Sequence, residues 1–292
     1  MSKTMTSAVV PNTPPVPPTQ YELPCDDGIP METERHKLQM ELLTDPLYPW
    51  LAQREDGYFG GNMFLYFSTE QIKNQDFRSR SVAYGLGPDV FVVLGVPKAE
   101  RLSWVVWEEG KAPDVIIELI SDSTANTDKT TKKVVYQDQV RVPEYFWYDP
   151  FNPDDFAGFR LHNGVYQPLT EDEQGRLISE RLELALVRWQ GVYKNNVDTT
   201  WLRWATLEGI VLPTAEEIAV QAQEEAAQAQ QEATQAQQEA TQAQQEAAQA
   251  QQQATQAQQQ ATQAQQQATQ AQERAEQLAA RLRAMGVDPD QV

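Results

Sequence analysis

Glu118 stands in the middle of an apolar run, Pro113-Asp114-Val115-Ile116-Ile117-Glu118-Leu119-Ile120-Ser121. Its Val, Ile and Leu neighbours are those of a strand packed on both faces. An ionised carboxylate in such a place is costly unless a cation or strong hydrogen bonds compensate it. The natural compensators are a metal ion and the lysines that follow, Lys129, Lys132 and Lys133. A second carboxylate, Asp89, follows Gly87-Pro88 and opens another apolar run, Val90 to Leu94. If the two runs are adjacent strands, Asp89 and Glu118 converge on one cation. Mg²⁺ uses one or two protein carboxylates and completes its shell with water and substrate phosphate oxygens. It polarises a phosphodiester and lowers the pKa of an attacking water. A nearby lysine would orient that water or steady the charge developing on phosphate. Period two along a strand puts Asp114 on the Glu118 face, with Ile116 between them. Lys132 is the preferred lysine, because it shares a helical face with Tyr136 four residues on. Lys129 and Lys133 face elsewhere and read as solvated. A purely structural alternative pairs Glu118 with the same lysine and no metal, since buried ion pairs also perturb carboxylates.

Other chemistries find little support. One cysteine, Cys25, permits no internal disulfide, and two histidines, His36 and His162, argue against a zinc cluster. Metal chemistry here is expected to be hard-cation chemistry with oxygen ligands. His36 reads as a half-exposed helix residue and His162, beside Asn163-Gly164, as solvent-facing. Ser121 and Ser123 have no histidine nearby in sequence, which disfavours a serine nucleophile. The seven tryptophans read as core rather than base-stacking platforms. The formal net charge is -19; residues 1–210 carry 20 Lys and Arg against 31 Asp and Glu. A protein that coats long nucleic acid shows a basic footprint. Any nucleic-acid contact must therefore be local or metal-assisted.

The elements that would position these groups are readable in outline. Residues 1–20, rich in Pro, Thr and Ser, read as a disordered or polyproline-like lead. A short amphipathic helix is predicted from Met31 to Leu43. Strands are predicted at Gly60–Phe67, Asp89–Leu94, Ser103–Trp107 and Val115–Ile120. A helix over Asp128–Gln139 and a strand Glu144–Tyr148 complete a crossover unit, which implies parallel pairing of its two strands. Asn163-Gly164 marks a hairpin turn. Short aromatic pieces around Trp189 and Trp201–Trp204 end the globular part. From Ala222 to Ala275 alanine recurs with alternating spacing of four and three among Gln and Glu, and Leu278, Leu282 and Met285 continue the stripe. Thr214 and Glu217 form a capping box at its start. The helix would be about 100 Å long at 1.5 Å per residue. It reads either as a weak oligomerising coiled coil, because an Ala seam buries little area, or as a long solvated helix.

Several linked motifs in order resemble the Uma2 family, also called domain of unknown function 820. They are Pro88-Asp89-Val90; Pro113 to Ser121 with Ser123-Thr124; Asp128; Lys132-Lys133; Tyr136; Val142-Pro143-Glu144-Tyr145-Phe146-Trp147; and Asp149-Pro150. The similarity covers about residues 25–210 and leaves the repeats outside. That family is similar to nucleases of the PD-(D/E)XK superfamily. The resemblance implies a restriction-endonuclease-like α/β fold, a mixed central sheet flanked by helices, with a divalent metal at paired acids. It matches Asp89 to the first acid and Glu118 to the second. The lysine expected two places after the second acid is absent, since Ile120 stands there. Lys132 matches the position to which the lysine has moved, on the next helix. Glu34 resembles an accessory acid; the plainer reading is a surface glutamate.

Two functions follow as expectations. The first is a Mg²⁺- or Mn²⁺-dependent endonuclease acting on nucleic acid, DNA in the first place, with Asp89 and Glu118 on the metal, Lys132 assisting, and Asp114 and Glu34 as accessory candidates. The second is a catalytically inactive nuclease-fold interaction protein that assembles through its tail into a homo-oligomer. The expected organisation is a lead over 1–20, a nuclease-like domain over 21–210, a heptad helix over 211–285 and a tail over 286–292. No apolar run approaches the length of a membrane span, and no apolar leader opens the chain. A reducing cytoplasm is the expected compartment.

Overall fold

The computed structural model describes residues 16–23, 25, 33–73, 86–194 and 196–286. In chain order the helices are α1 Glu34–Thr44, α2 Leu47–Ala52, α3 Glu70–Lys73, α4 Val106–Glu109, α5 Lys133–Val135 and α6 Ala215–Ala284. The strands are β1 Tyr58–Gly61, β2 Leu65–Tyr66, β3 Val90–Val93, β4 Trp104–Val105, β5 Val115–Leu119 and β6 Glu144–Tyr148, then β7 Phe156–His162, β8 Val165–Pro168, β9 Leu177–Ser179, β10 Leu184–Tyr193 and β11 Val197–Ala205. Two π-helical stretches, Thr127–Lys132 and Tyr136–Val140, flank α5 and make one crossover helix with it.

Every residue of β3 and of β5 is buried, as their unbroken apolar runs require. They lie inside a six-stranded sheet of order β1-β3-β5-β6-β7-β8. The crossover helix carries the chain from β5 to β6, and that pair is parallel, with Val115 opposite Glu144. The other pairs of this sheet are antiparallel. One face packs Val115, Ile117 and Leu119 against Leu43 of α1 and against Leu186, Leu202 and Trp204 of a second sheet, β9-β10-β11. The other face packs Ile116, Phe91 and Tyr145 against Val135, Tyr136 and Val140 of the crossover helix. Trp104, Trp201 and Trp204 are fully buried, as core tryptophans should be.

The hairpin expected at Asn163-Gly164 joins β7 to β8, with φ of 51° and 83° at the two turn residues. Four elements depart from expectation. The run Gly60–Phe67 is not one strand. Asn62 takes the left-handed conformation, φ 48°, and splits it into β1, which pairs with β3, and β2, which pairs with β4. The run Ser103–Trp107 turns helical after two strand residues, ending at Gly110 with φ 70°. The aromatic pieces after Val187 form a regular hairpin, β10–β11, paired from Ala185–Ala205 to Tyr193–Val197. Part of the lead is fixed to the body: Trp107 Nε1 donates to the Pro18 carbonyl at 2.9 Å, and Leu102 N to Gln20 Oε1 at 2.8 Å. The rest of that lead, residues 1–15, and Met31 at the expected start of the first helix lie outside the described residues.

The chain divides into two compact units, residues 1–219 and 220–292. The expected capping box forms in the first unit: Thr214 N donates to Glu217 Oε2 at 2.7 Å, and Glu217 N to Thr214 Oγ1 at 3.2 Å. Buried Arg203 of β11 binds Glu217 through two nitrogens, at 2.9 and 2.6 Å. The described part of the second unit is the remainder of α6, exposed along almost all its length, with Met285 and Gly286 after it. Among the described residues, no helix is long and apolar enough to cross a membrane.

Candidate active site

β3 and β5 are antiparallel with Val90 opposite Ile117, so the next position sets Asp89 across from Glu118. Asp89 Oδ2 accepts the Leu119 N–H at 2.7 Å. The two acids act on each other electrostatically. Period two along β5 turns Glu118 to the face of Ile116, which the crossover helix covers. From that helix Tyr136 donates its hydroxyl to Glu118 Oε1 at 2.6 Å, and Lys132 Nζ lies 3.0 Å from Glu118 Oε2. Lys132 Nζ is also 2.8 Å from Asp128 Oδ1. That oxygen is buried and makes no hydrogen bond of good geometry, so the contact is an ion pair of charge on charge.

Burial pushes the Glu118 carboxyl well above its ordinary range; Lys132 opposes the shift, and Asp128 and Asp89 add to it. Asp89 is raised for the same first reason, against the pull of Lys132 and the Leu119 N–H. Burial alone would lower the Lys132 ammonium, but Glu118, Asp128 and Asp89 together hold it far above its usual value. Three acidic side chains share one ammonium, and burial raises two of them towards their neutral forms. A divalent cation, when bound, would favour their ionised forms. The donor set suits a hard ion: two facing carboxylates are the number Mg²⁺ uses. Among the described residues, no group of three or more His, Cys, Asp or Glu side chains is arranged to hold a metal ion.

The structure thus brings Asp89, Glu118 and Lys132 together. It places Asp114 elsewhere. Asp114 precedes β5 and is held at the opposite end of the strand: its carboxylate pairs with Lys111 at 2.8 Å and with Arg181, and accepts the Leu94 N–H at 2.8 Å. Glu34 sits in the exposed first turn of α1. Lys129 pairs with Asp155, and Lys133 lies 3.4 Å from the centre of the Phe159 ring. His36 is buried rather than half-exposed. Its ring lies between Thr33 Oγ1, 2.8 Å from Nδ1, and the Ile120 carbonyl, 3.3 Å from Nε2. His162 is exposed at the end of β7, as expected. Asp128 is the residue that sequence reasoning undervalued. The spacing Asp128, Lys132, Tyr136, each four apart, was its signal.

The family profile described as "Putative restriction endonuclease", Uma2, matches residues 16–190, more than half of the chain. The chain belongs to the Uma2 family. The match spans α1, the six-stranded sheet, the crossover helix and most of β10, and it stops before the repeats. A search of the curated proteins returns no match. Among solved structures, the chain is similar to a putative nuclease of domain of unknown function 820 from Anabaena variabilis. The identity is 14%, the likeness covers 52% of this chain and 76% of that one, and the TM-score is 0.36.

Proposed function

We propose that this protein is a divalent-metal-dependent endonuclease that hydrolyses phosphodiester bonds of DNA. Asp89 and Glu118 hold Mg²⁺ or Mn²⁺, and Lys132 serves the same site. One observation carries the reading: with Ile120 in the strand position, the lysine reaches Glu118 from the crossover helix, at 3.0 Å. The cation, when bound, polarises the phosphodiester and acidifies water. The chain supplies the frame. The Leu119 N–H fixes Asp89 and the Tyr136 hydroxyl fixes Glu118, so neither acid needs to be ordered when substrate arrives. The Lys132 ammonium keeps protons free to donate to a water or a phosphate oxygen beside the acids. The test is cleavage of plasmid and single-stranded DNA with Mg²⁺ or Mn²⁺, comparing wild type with Glu118→Ala and Lys132→Ala. If both variants cleave like wild type, the assigned site is wrong.

A second reading, a nuclease-fold protein that only binds partners, is favoured by one observation. Both Glu118 oxygens already have partners within the chain. Calorimetric titration with Mn²⁺ separates the two readings. Metal binding that is lost in Asp89→Ala counts against a pure scaffold, and no binding by wild type counts against the enzyme.

A further inference from the structure

We propose that Asp128 is a positioning residue that keeps Lys132 at the acidic pair when Glu118 turns to the cation; the inference rests on the nuclease reading above. The Lys132 ammonium bridges carboxylates on two different elements. One is Glu118 on β5, at 3.0 Å, and the other is Asp128 one turn back on its own helix, at 2.8 Å. Both carboxylates are almost wholly excluded from solvent, with side chains 1% and 2% exposed.

The two contacts differ in what else they must do. Glu118 is shared: Oε1 receives the Tyr136 hydroxyl, and Oε2 is the remaining oxygen, the one facing Lys132. A cation held jointly with Asp89 competes with the ammonium for Glu118 and repels it at short range. A lysine anchored on Glu118 alone, on a flexible four-carbon stem, would turn away. Asp128 is not shared. Its Oδ1 has Lys132 as its ion partner and no hydrogen bond, and the i, i+4 spacing makes the pair independent of the strand. The pair also lies in the first π-helical stretch, Thr127–Lys132, a widened turn of the kind found at functional sites. Asp128 therefore gives the displaced lysine a fixed position beside the reaction rather than in solvent.

The experiment uses the full-length protein and Mn²⁺-supported DNA cleavage by Asp128→Asn, Asp128→Glu, Lys132→Met and the Asp128→Asn/Lys132→Met double variant. Asp128→Asn is expected to lower kcat about 10- to 100-fold with KM for DNA and the Kd for Mn²⁺ unchanged, and Asp128→Glu to recover part of the loss. The double variant should be as slow as Lys132→Met alone, because Asp128 acts only through the lysine. Additive losses would overturn the proposal. Absence of cleavage by wild type would sink the nuclease reading but not this test, which has a second readout. Lysine acetylation followed by mass spectrometry should find Lys132 still protected in Glu118→Ala and reactive in Asp128→Asn/Glu118→Ala. Equal reactivity in the two would overturn the anchoring role.

Discussion

Glu118 within β5 and Asp114 just before it show what four residues of separation can do to two acids. Both are buried, but Asp114 is matched by Lys111, Arg181 and a backbone N–H, and its pKa falls although burial alone would raise it. Its contribution to stability is present above the ordinary aspartate range and is lost as pH drops through its depressed pKa. Asp114→Asn should therefore cost about 2 kcal/mol near neutral pH and converge with wild type in acid, as read by urea unfolding. Cleavage by the folded variant should persist. Glu118 and Asp89 have the opposite sign, because their pKa values are raised. They favour the fold below their ordinary range, and that advantage declines as pH rises through the raised values. Glu118→Gln should flatten this decline in the metal-free protein; a decline of unchanged slope would contradict the assignment. At this scale much of the site was legible. A carboxylate in an apolar strand, a second at the head of its neighbour and a lysine on the following helix are local patterns. Asp128 was harder to see, because an acid four before a lysine on a helix is ordinarily a solvated pair. The burial of His36 depends on the Ile120 carbonyl, 84 residues away, and no local pattern carries it.

The crossover helix is the element that decides whether the site exists. β5 and β6 are parallel, so the chain must return over one sheet face between them, and that return brings Lys132 and Tyr136 onto Glu118. Its span was readable to within about three residues at the start and one at the end from the helical spacing of Thr131, Val135 and Gln139. Its π-helical stretches were not, since the same spacing suits an α-helix over so short a span. The break at Asn62 was also missed, because Gly60-Gly61-Asn62 interrupts an otherwise strand-like run and only the pairing partners reveal two strands. With φ 48° at Asn62, Asn62→Ala should destabilise by about 1–2 kcal/mol and Asn62→Gly should be tolerated, by thermal unfolding. A loss of equal size in both would mean that the Asn62 side chain, not the backbone angle, matters there.

The whole molecule is acidic, with a formal net charge of -19, and it has to approach a polyanion if the nuclease reading holds. Binding should then depend on the divalent ion more than on lysine and arginine contacts. Fluorescence anisotropy with labelled DNA should show association in Ca²⁺ and little in EDTA, with a shallow salt dependence that reflects few phosphate contacts. Tight binding in EDTA would contradict this. The tail should be separable from this activity. Truncation after Ala219 is expected to leave both cleavage and the Tm of the first unit unchanged, and light scattering on the two lengths reads whether the Ala seam assembles copies. The capping box and the Arg203–Glu217 pair hold the first turn of α6 against β11. Each seven-residue copy adds about 10 Å of helix and drifts only about 20° in azimuth. Gain or loss of whole copies would move Leu278, Leu282 and Met285 along the axis while keeping them on nearly the same side. The tail is in this sense a graduated rod, whose own length can change in steps without any substitution in the first unit.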